Sequence, residues 1–246
     1  MFEVIVLGVG DAFSTRHHGS SFLLSEAGCI LAVDCPADYR KALQDASAAG
    51  GRQISAGDIG HMLITHVHGD HMNGLEGLAL YKYNFEKKRL RLALAPEVRS
   101  VIWDQRLSAG IGLRWDNGSI RTLGFEDFFE HLPLGWDKEN EIGPFRVRLR
   151  RTRHMVPASA LLVQAGGRSF GYSCDTVFDP ELIRFLEPAD LIFHEVGTGA
   201  PHTSYAELAG LPESLRRKMR LIHYPDGFAP ADGALALLQE GETLAV

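Results

Sequence analysis

The stretch Thr65-His66-Val67-His68-Gly69-Asp70-His71 places four potential metal ligands within six residues, directly behind the apolar run His61-Met62-Leu63-Ile64. Imidazole nitrogen and carboxylate oxygen suit zinc and other first-row divalent ions. His66 and His68 stand two apart, so an extended backbone points both to one side. Gly69 permits a sharp turn, which can swing Asp70 and His71 toward a second point in space. One short turn can therefore serve two adjacent metals. Burying these groups together without a metal is costly, so a metal site outweighs a chance grouping of surface histidines. The chemistry expected of such a site is hydrolysis.

A set of elements must hold that turn in place. Strands are predicted over Glu3–Gly8, Ser21–Leu24, Cys29–Asp34, Ile59–Thr65 and Leu90–Ala95, and helices over Ala37–Ala49, Leu75–Tyr83 and Glu97–Ala109. Gly50-Gly51 ends the first helix, and Pro96 opens the third. In the second half, Phe145–Thr152 alternates Val147 and Leu149 with Arg146, Arg148 and Arg150, a half-buried strand by its period of two. Gly166-Gly167 joins predicted strands Ala160–Gln164 and Ser169–Ser173 as a hairpin. Pro180–Leu186, Tyr205–Leu211 and Pro212–Lys218 read as helices, Leu191–His194 and Arg220–His223 as strands. Two strand-rich halves with helices outside predict a two-sheet α/β sandwich, residues 1–246 forming one domain.

Composition narrows the class. The 246 residues carry a formal net charge of -6, which lacks the basic footprint of a protein relying on nucleic-acid phosphates and tilts the substrate toward a small molecule. No apolar run approaches the ~20 residues that span a bilayer, and Met1–Leu7 reads as a first strand, not a leader. Cys29, Cys35 and Cys174 form an odd set without a paired framework, which points to a reducing compartment, the cytoplasm.

Three further ligand types stand at predicted strand ends: His154, Asp175 and His223. With the Thr65–His71 run and this order of partners, the chain resembles the metallo-β-lactamase fold superfamily over nearly its whole length. The resemblance implies a four-layer αβ/βα sandwich with metals at the open edge between two mixed sheets. It further implies His66, His68 and His154 on one metal, Asp70, His71 and His223 on the other, and Asp175 bridging both. The two ions are expected to be zinc, with manganese or iron as alternatives.

Within the superfamily, Leu7-Gly8-Val9-Gly10-Asp11, Gly19-Ser20-Ser21-Phe22-Leu23-Leu24, Asp58-Ile59, Ser173-Cys174-Asp175-Thr176, His194-Glu195 and His202-Thr203 are similar to the ribonuclease Z-like phosphodiesterases, including those acting on cyclic nucleotides. That branch places a proton-donating histidine where His202 stands. Only 21 positions separate His154 from Asp175, which leaves no room for the protruding arm of the tRNA-processing members. Cys174 stands where glycine is common, and Pro36 follows Cys35 where glycine is usual. The expected activity is thus hydrolysis of a small or cyclic nucleotide-type phosphodiester by a hydroxide shared between two metals. Asp70 both ligates and orients the attacking oxygen, and His202 protonates the leaving oxygen, with Glu195 orienting its ring. The resemblance also implies a homodimer.

Other residues have plainer readings. His17 and His18 are expected as solvated loop residues, His61 as structural or exposed, and His194 as a buried histidine satisfied by backbone. Asp34 is expected to support a ligand from behind, and Cys174 to be a small buried residue. The groups Lys82, Lys87, Lys88, Arg89, Arg91 and Arg146, Arg148, Arg150 read as solvated faces. Gly8-Val9-Gly10 lacks the third glycine and the helix of a dinucleotide loop. Three alternatives compete: an RNA- or tRNA-processing nuclease, opposed by the acidic balance; a thioester, ester or lactone hydrolase, opposed by His202-Thr203; and a binding module with a vestigial site, opposed by the full ligand set.

Overall fold

The structure, a computed structural model, describes residues 1–230 and 233–246. Numbered along the chain, β1 (Glu3–Gly8), β2 (Ser21–Glu26), β3 (Cys29–Val33), α1 (Tyr39–Gly50), β4 (His61–Ile64), α2 (Gly69–Met72), α3 (Leu75–Tyr81), β5 (Leu90–Leu94), α4 (Pro96–Val101) and α5 (Ser108–Ile111) make the first part. A hairpin β6 (Leu113–Asp116) and β7 (Ser119–Thr122) follows, then α6 (Phe125–Phe128), β8 (Phe129–Pro133) and β9 (Asn140–Ile142). The second part holds β10 (Phe145–Arg151), β11 (Ser159–Ala165), β12 (Arg168–Tyr172), α7 (Pro180–Leu186), β13 (Leu191–Glu195), α8 (Tyr205–Ala209), α9 (Glu213–Arg216), β14 (Met219–Ile222), β15 (Ala236–Leu237) and β16 (Thr243–Ala245).

The strands form two seven-stranded mixed sheets, ordered β16-β1-β2-β3-β4-β5-β8 and β15-β14-β13-β12-β11-β10-β9. Each runs through three antiparallel pairings and then three parallel ones. The halves therefore repeat one design, as the sequence pattern predicted. Helices cover the sheets: α1 packs on β1, α7 on β11 and α9 on β14. Between the sheets, Phe22 of β2 meets Phe170, Tyr172 and Phe193 edge-on, with ring centroids 5.0–5.5 Å apart. Such contacts add to the burial of the rings and lock the two sheets in register.

Local chemistry accounts for the elements that lead into the site. In β10, Phe145, Val147 and Leu149 are buried while Arg146 and Arg148 are exposed, so the period of two is also an inside–outside alternation. Asp179 caps α7 by accepting from the Glu181 amide at 2.9 Å, and Pro180 opens its first turn. Ser204 and Glu207 form a reciprocal capping box at the start of α8.

Several predicted elements differ. The Leu75–Tyr83 helix widens into a π-turn over Lys82–Glu86, where Lys82 is buried and pairs with Glu86 at 3.2 Å. Lys82 is therefore not part of a solvated face; its ammonium is removed from water with a partner. The Glu97–Ala109 helix is broken by a second π-turn at Ile102–Leu107. The hairpin β6–β7 and strands β8, β9, β15 and β16 were not foreseen. Four of these close sheet edges, where short strands have too few residues for a clear period.

Candidate metal centre

The predicted ligands come from distant segments, yet all lie just past strand ends or in the short helix that follows one. His66 and His68 follow β4, Asp70 and His71 sit in α2, His154 follows β10, Asp175 follows β12, and His223 follows β14. Two clusters hold the predicted ligands: His66, His68, His154 and Asp175 bring donor atoms within 4.8 Å of one another, and so do Asp70, His71, Asp175 and His223, while a third group at the same spacing joins Glu195 and His202 to His223. Asp175 alone belongs to both.

The spacings suit a coordination shell. His68 Nδ1 lies 3.1 Å from His154 Nε2, and His66 and His154 Nε2 lie 3.8 and 3.7 Å from Asp175 Oδ2. In the other cluster, Asp70 Oδ2 stands 3.3 Å from His71 Nε2 and 3.2 Å from His223 Nε2. Asp175 Oδ1 is 3.4 Å from His71 Nε2. Ligands on bonds of ~2.0–2.2 Å in a tetrahedron stand about 3.3–3.6 Å apart. His66 Nε2, His71 Nε2 and Asp175 Oδ1 are buried without a hydrogen-bond partner. Orphaned buried donors and acceptors cost free energy, and these three, distributed over the two clusters, fit divalent cations bound there.

Support from behind is complete on one side. Asp34 is buried and accepts from the Thr65 amide at 2.8 Å, the Thr65 hydroxyl and His71 Nδ1 at 2.8 Å. That hydrogen bond fixes the His71 ring so that Nε2 faces the cluster. Burial by itself would lower the His71 pKa, but Asp175 and Asp34 outweigh it and raise it well above the usual value. His66, by contrast, is driven well below its usual value by burial and then by His71. Its surroundings thus disfavour the charged ring.

Asp34, Cys174 and His223 all adopt left-handed backbone, with φ of 63°, 53° and 62°. Each follows a strand of the parallel part of its sheet, and the conformation turns the chain sharply into the site. Non-glycine residues rarely sit there, and such strain gathers at functional positions. This explains why glycine is common at the place Cys174 holds. The thiol is buried, 3.5 Å from His66 Nδ1 on the side away from the cluster, and burial pushes its pKa well up. Cys174→Gly is expected to keep fold and metal complement. Cys174→Val forces a β-branched side chain into left-handed backbone and should lose on the order of 1–3 kcal/mol in chemical denaturation. Equal stability of the two variants would contradict this account.

Beside the clusters, Glu195 of β13 is fully buried and its Oε1 accepts from the amides of Thr176 and Thr203 at 2.9 and 3.2 Å. The same oxygen faces His202 Nδ1 at 3.3 Å. With Nδ1 held, Nε2 is left to face the opening. The hydrogen bond to Glu195 raises the His202 pKa despite partial burial. His194 is turned into the core, its Nδ1 donating to the Glu195 carbonyl at 2.7 Å, and burial pushes its pKa down to about 4. The backbone-satisfied reading of His194 therefore holds.

His18 departs from the solvated reading. Its Nδ1 pairs with Asp38 and its Nε2 with Asp45 at 2.8 Å, joining the first loop to α1. His17 packs edge-on to Tyr224. Burial opposes protonation of His18, but the hydrogen bonds to Asp38 and Asp45 outweigh it and raise its pKa. The stability it contributes is complete below the unfolded pKa of ~6.5 and fades as pH rises through the higher folded value. His18→Gln should therefore lower the melting temperature at pH 6 and not at pH 9. The cost is at most about 1 kcal/mol because Asp45 is largely in water. A deficit that is the same at both pH values would rule this out. His61 is half-buried between Cys29 Sγ at 3.6 Å and the Arg91 guanidinium at 3.4 Å, a structural role.

Two sheets of matching order with a buried histidine–aspartate cluster at one edge define a metallo-β-lactamase fold. Solved structures share it: the metallo-β-lactamase fold protein YhfI from Bacillus subtilis superposes with a TM-score of 0.77 at 17% identity, covering 99% of this chain and 98% of that one. The short form of human tRNase Z gives 0.70 at 19% identity, with 99% and 98% covered. The family model described as Anti-Pycsar protein Apyc1 matches residues 2–244, and the chain belongs to that family. Among its relatives, the Anti-Pycsar protein Apyc1 of Paenibacillus harenae is 32% identical over 233 residues, covering 91% of this chain and 90% of the relative. That of Bacillus phage vB_BsuM-Goe3 is 28% identical over 265 residues, covering 98% and 97%.

Proposed function

We propose that the protein is a dinuclear metal-dependent phosphodiesterase acting on a small or cyclic nucleotide-type phosphodiester, with zinc as its first-choice metal. The observation that carries the reading is the pair of donor clusters sharing Asp175, next to a histidine whose far nitrogen is free. His66, His68 and His154 would hold one ion, Asp70, His71 and His223 the other, and Asp175 both. A divalent pair bound there supplies Lewis acidity toward phosphoryl oxygens and acidifies water near neutral pH.

The chain's own groups do the rest. Asp34 and Thr65 hold His71 and the histidine turn, so the ligands do not reorganise during reaction. Asp70 Oδ2 sits between His71 and His223 and is positioned to orient an attacking oxygen. Glu195 steadies His202, whose Nε2 can hold a proton for the departing oxygen. An alkoxide leaving group needs that proton; a thiolate in acyl transfer needs it less.

The RNA-processing alternative has less support. The segment between His154 and Asp175 folds as β11 and β12 joined by the two-residue turn Gly166-Gly167, with no protruding arm. The Arg146, Arg148 and Arg150 face is committed in part: Arg146 pairs with Glu139 at 3.8 Å and Arg148 lies over Phe185.

The test is turnover by metal-loaded and metal-stripped protein on bis(p-nitrophenyl) phosphate, 3′,5′-cyclic nucleotides, pre-tRNA and a thioester. Metal-dependent turnover of cyclic nucleotides is expected. Turnover of the thioester alone would overturn the reading, and turnover of pre-tRNA alone would replace its substrate.

A further inference from the structure

The opening beside His154 and His202 is not polar throughout. A recess of about 500 Å³ runs from His154 along Arg153, Met155, Val177, Ala200 and Pro201. Apart from His154 and Arg153, its lining is apolar. It is shallow and open to solvent, a wall that can cover one face of a flat group and not an enclosed pocket.

Its walls belong to the loops that place the chemistry. Arg153 and Met155 flank the cluster residue His154, Val177 lies two residues beyond Asp175, and Ala200-Pro201 immediately precede His202. Two of these loops are tied together: the Val177 amide donates to the Arg153 carbonyl at 3.1 Å, and the Arg153 amide donates to the Thr176 hydroxyl at 3.3 Å. The wall is therefore a fixed surface at one flank of the clusters.

Met155 is the large apolar side chain exposed on this wall. It is 71% exposed, although both neighbours along the chain are partly covered. An unbranched thioether adapts to flat surfaces and makes favourable contacts with aromatic rings. The Arg153 guanidinium has no ion-pair partner among the described residues and is free to lie over a π face at the rim.

We propose that this recess seats a planar aromatic ring, of nucleobase size, carried by the phosphodiester, and that Met155 is the residue that selects for it. The inference rests on the phosphodiesterase reading above, and names the substituent side of that same site. A phosphoryl group at the clusters, with its leaving oxygen at His202, directs the rest of the molecule along this wall. Met155 touches the ring and not the reacting atoms, so it acts on binding and leaves the chemical step alone.

The test compares phenylphosphonate with methylphosphonate by titration calorimetry on zinc-loaded protein, and runs both as inhibitors wherever turnover is found. Both ligands bring the same anionic head, so their affinity ratio reports the ring alone. Wild type is expected to favour phenylphosphonate, and Met155→Ala to reduce that ratio by about three- to ten-fold. Ala200→Phe, which fills the recess, should abolish the preference while methylphosphonate binds as before. In turnover, Met155→Ala should raise KM for aryl diesters with kcat within about twofold. An unchanged ratio in both variants overturns the proposal, whether or not phosphodiesters are hydrolysed. A ring preference lost in the variants, in a protein that hydrolyses no phosphodiester, upholds the recess and sinks the phosphodiesterase reading.

Discussion

Asp175→Ala is expected to lower metal-dependent phosphodiester turnover by about 10³-fold or more, a loss of several kcal/mol of transition-state stabilisation. The reason is geometric. Asp175 is the one side chain common to both clusters, its Oδ1 facing His71 and its Oδ2 facing His66, His154 and His223. Burial opposes its ionisation, but His223 and His71 outweigh burial and hold the carboxyl well below the usual carboxylate range. It is therefore an anion in the resting protein, the state a metal bridge requires. Asp175→Asn keeps the volume and removes the charge, so it separates packing from ligation. Metal content by mass spectrometry, expected at two ions per chain in the wild type, should be lower in both variants, with the far-ultraviolet circular dichroism unchanged in the asparagine form. Two tightly held ions with activity within tenfold of wild type would remove Asp175 from the bridging position.

The second large effect belongs to His202. Its alanine variant should lose about 10²–10⁴-fold on 3′,5′-cyclic nucleotides, the range of a general acid. The loss on bis(p-nitrophenyl) phosphate should be tenfold or less, because p-nitrophenolate departs without a proton. This contrast distinguishes proton donation from mere packing beside His154 and His223, whose rings lie 5.8 and 5.2 Å away. Glu195→Gln keeps the shape and weakens the support, and should cost about 10–100-fold on the same cyclic substrates. The hydrogen bond to Glu195 raises the His202 pKa, so the protonated form persists above the ordinary histidine range. Turnover of cyclic nucleotides should fall as pH rises through that value, and the fall should be missing for the p-nitrophenyl diester. Equal losses on both substrates would assign His202 to positioning.

The histidine turn was legible because its signal is local. His66, His68, Asp70 and His71 lie close enough in sequence that backbone geometry alone brings them together. His154, Asp175 and His223 had no such signal: each is a single ligand-type residue just past a strand, a common sight. What joins them is the parallel packing of β12, β13 and β14 and the facing of two sheets across Phe22. The resemblance supplied their identity in the sequence, and the fold supplied the distances.

Some signals were present and passed over. Asn117-Gly118, with φ of 46° and 87°, is the residue pair that favours a tight two-residue hairpin, and it turns β6 into β7. The start of α8 at Tyr205 was expected, and the Ser204–Glu207 capping box is its local cause. The π-turns at Lys82–Glu86 and Ile102–Leu107 had no comparable mark, since the apolar spacing across them still reads as an ordinary helix. His18 was misjudged because its partners, Asp38 and Asp45, belong to α1, a contact that no reading of the first loop contains.

By itself the sequence determined the kinds of atoms available for chemistry, the four candidate ligands of the histidine turn, the strand and helix alternation and the two-sheet class. These follow from bond geometry and from the periodicity of burial, which act over a few residues. The tertiary structure supplied the contacts behind the expectations, with Asp175 facing both clusters, Asp34 held to His71 and Glu195 held to the imidazole of His202 while His194 turns into the core, and it alone shows the apolar recess beside them. Those facts depend on side chains far apart in the chain meeting in a dry, crowded space. There the cost of an unpartnered polar atom is highest, and the packing of the whole molecule sets which atoms meet.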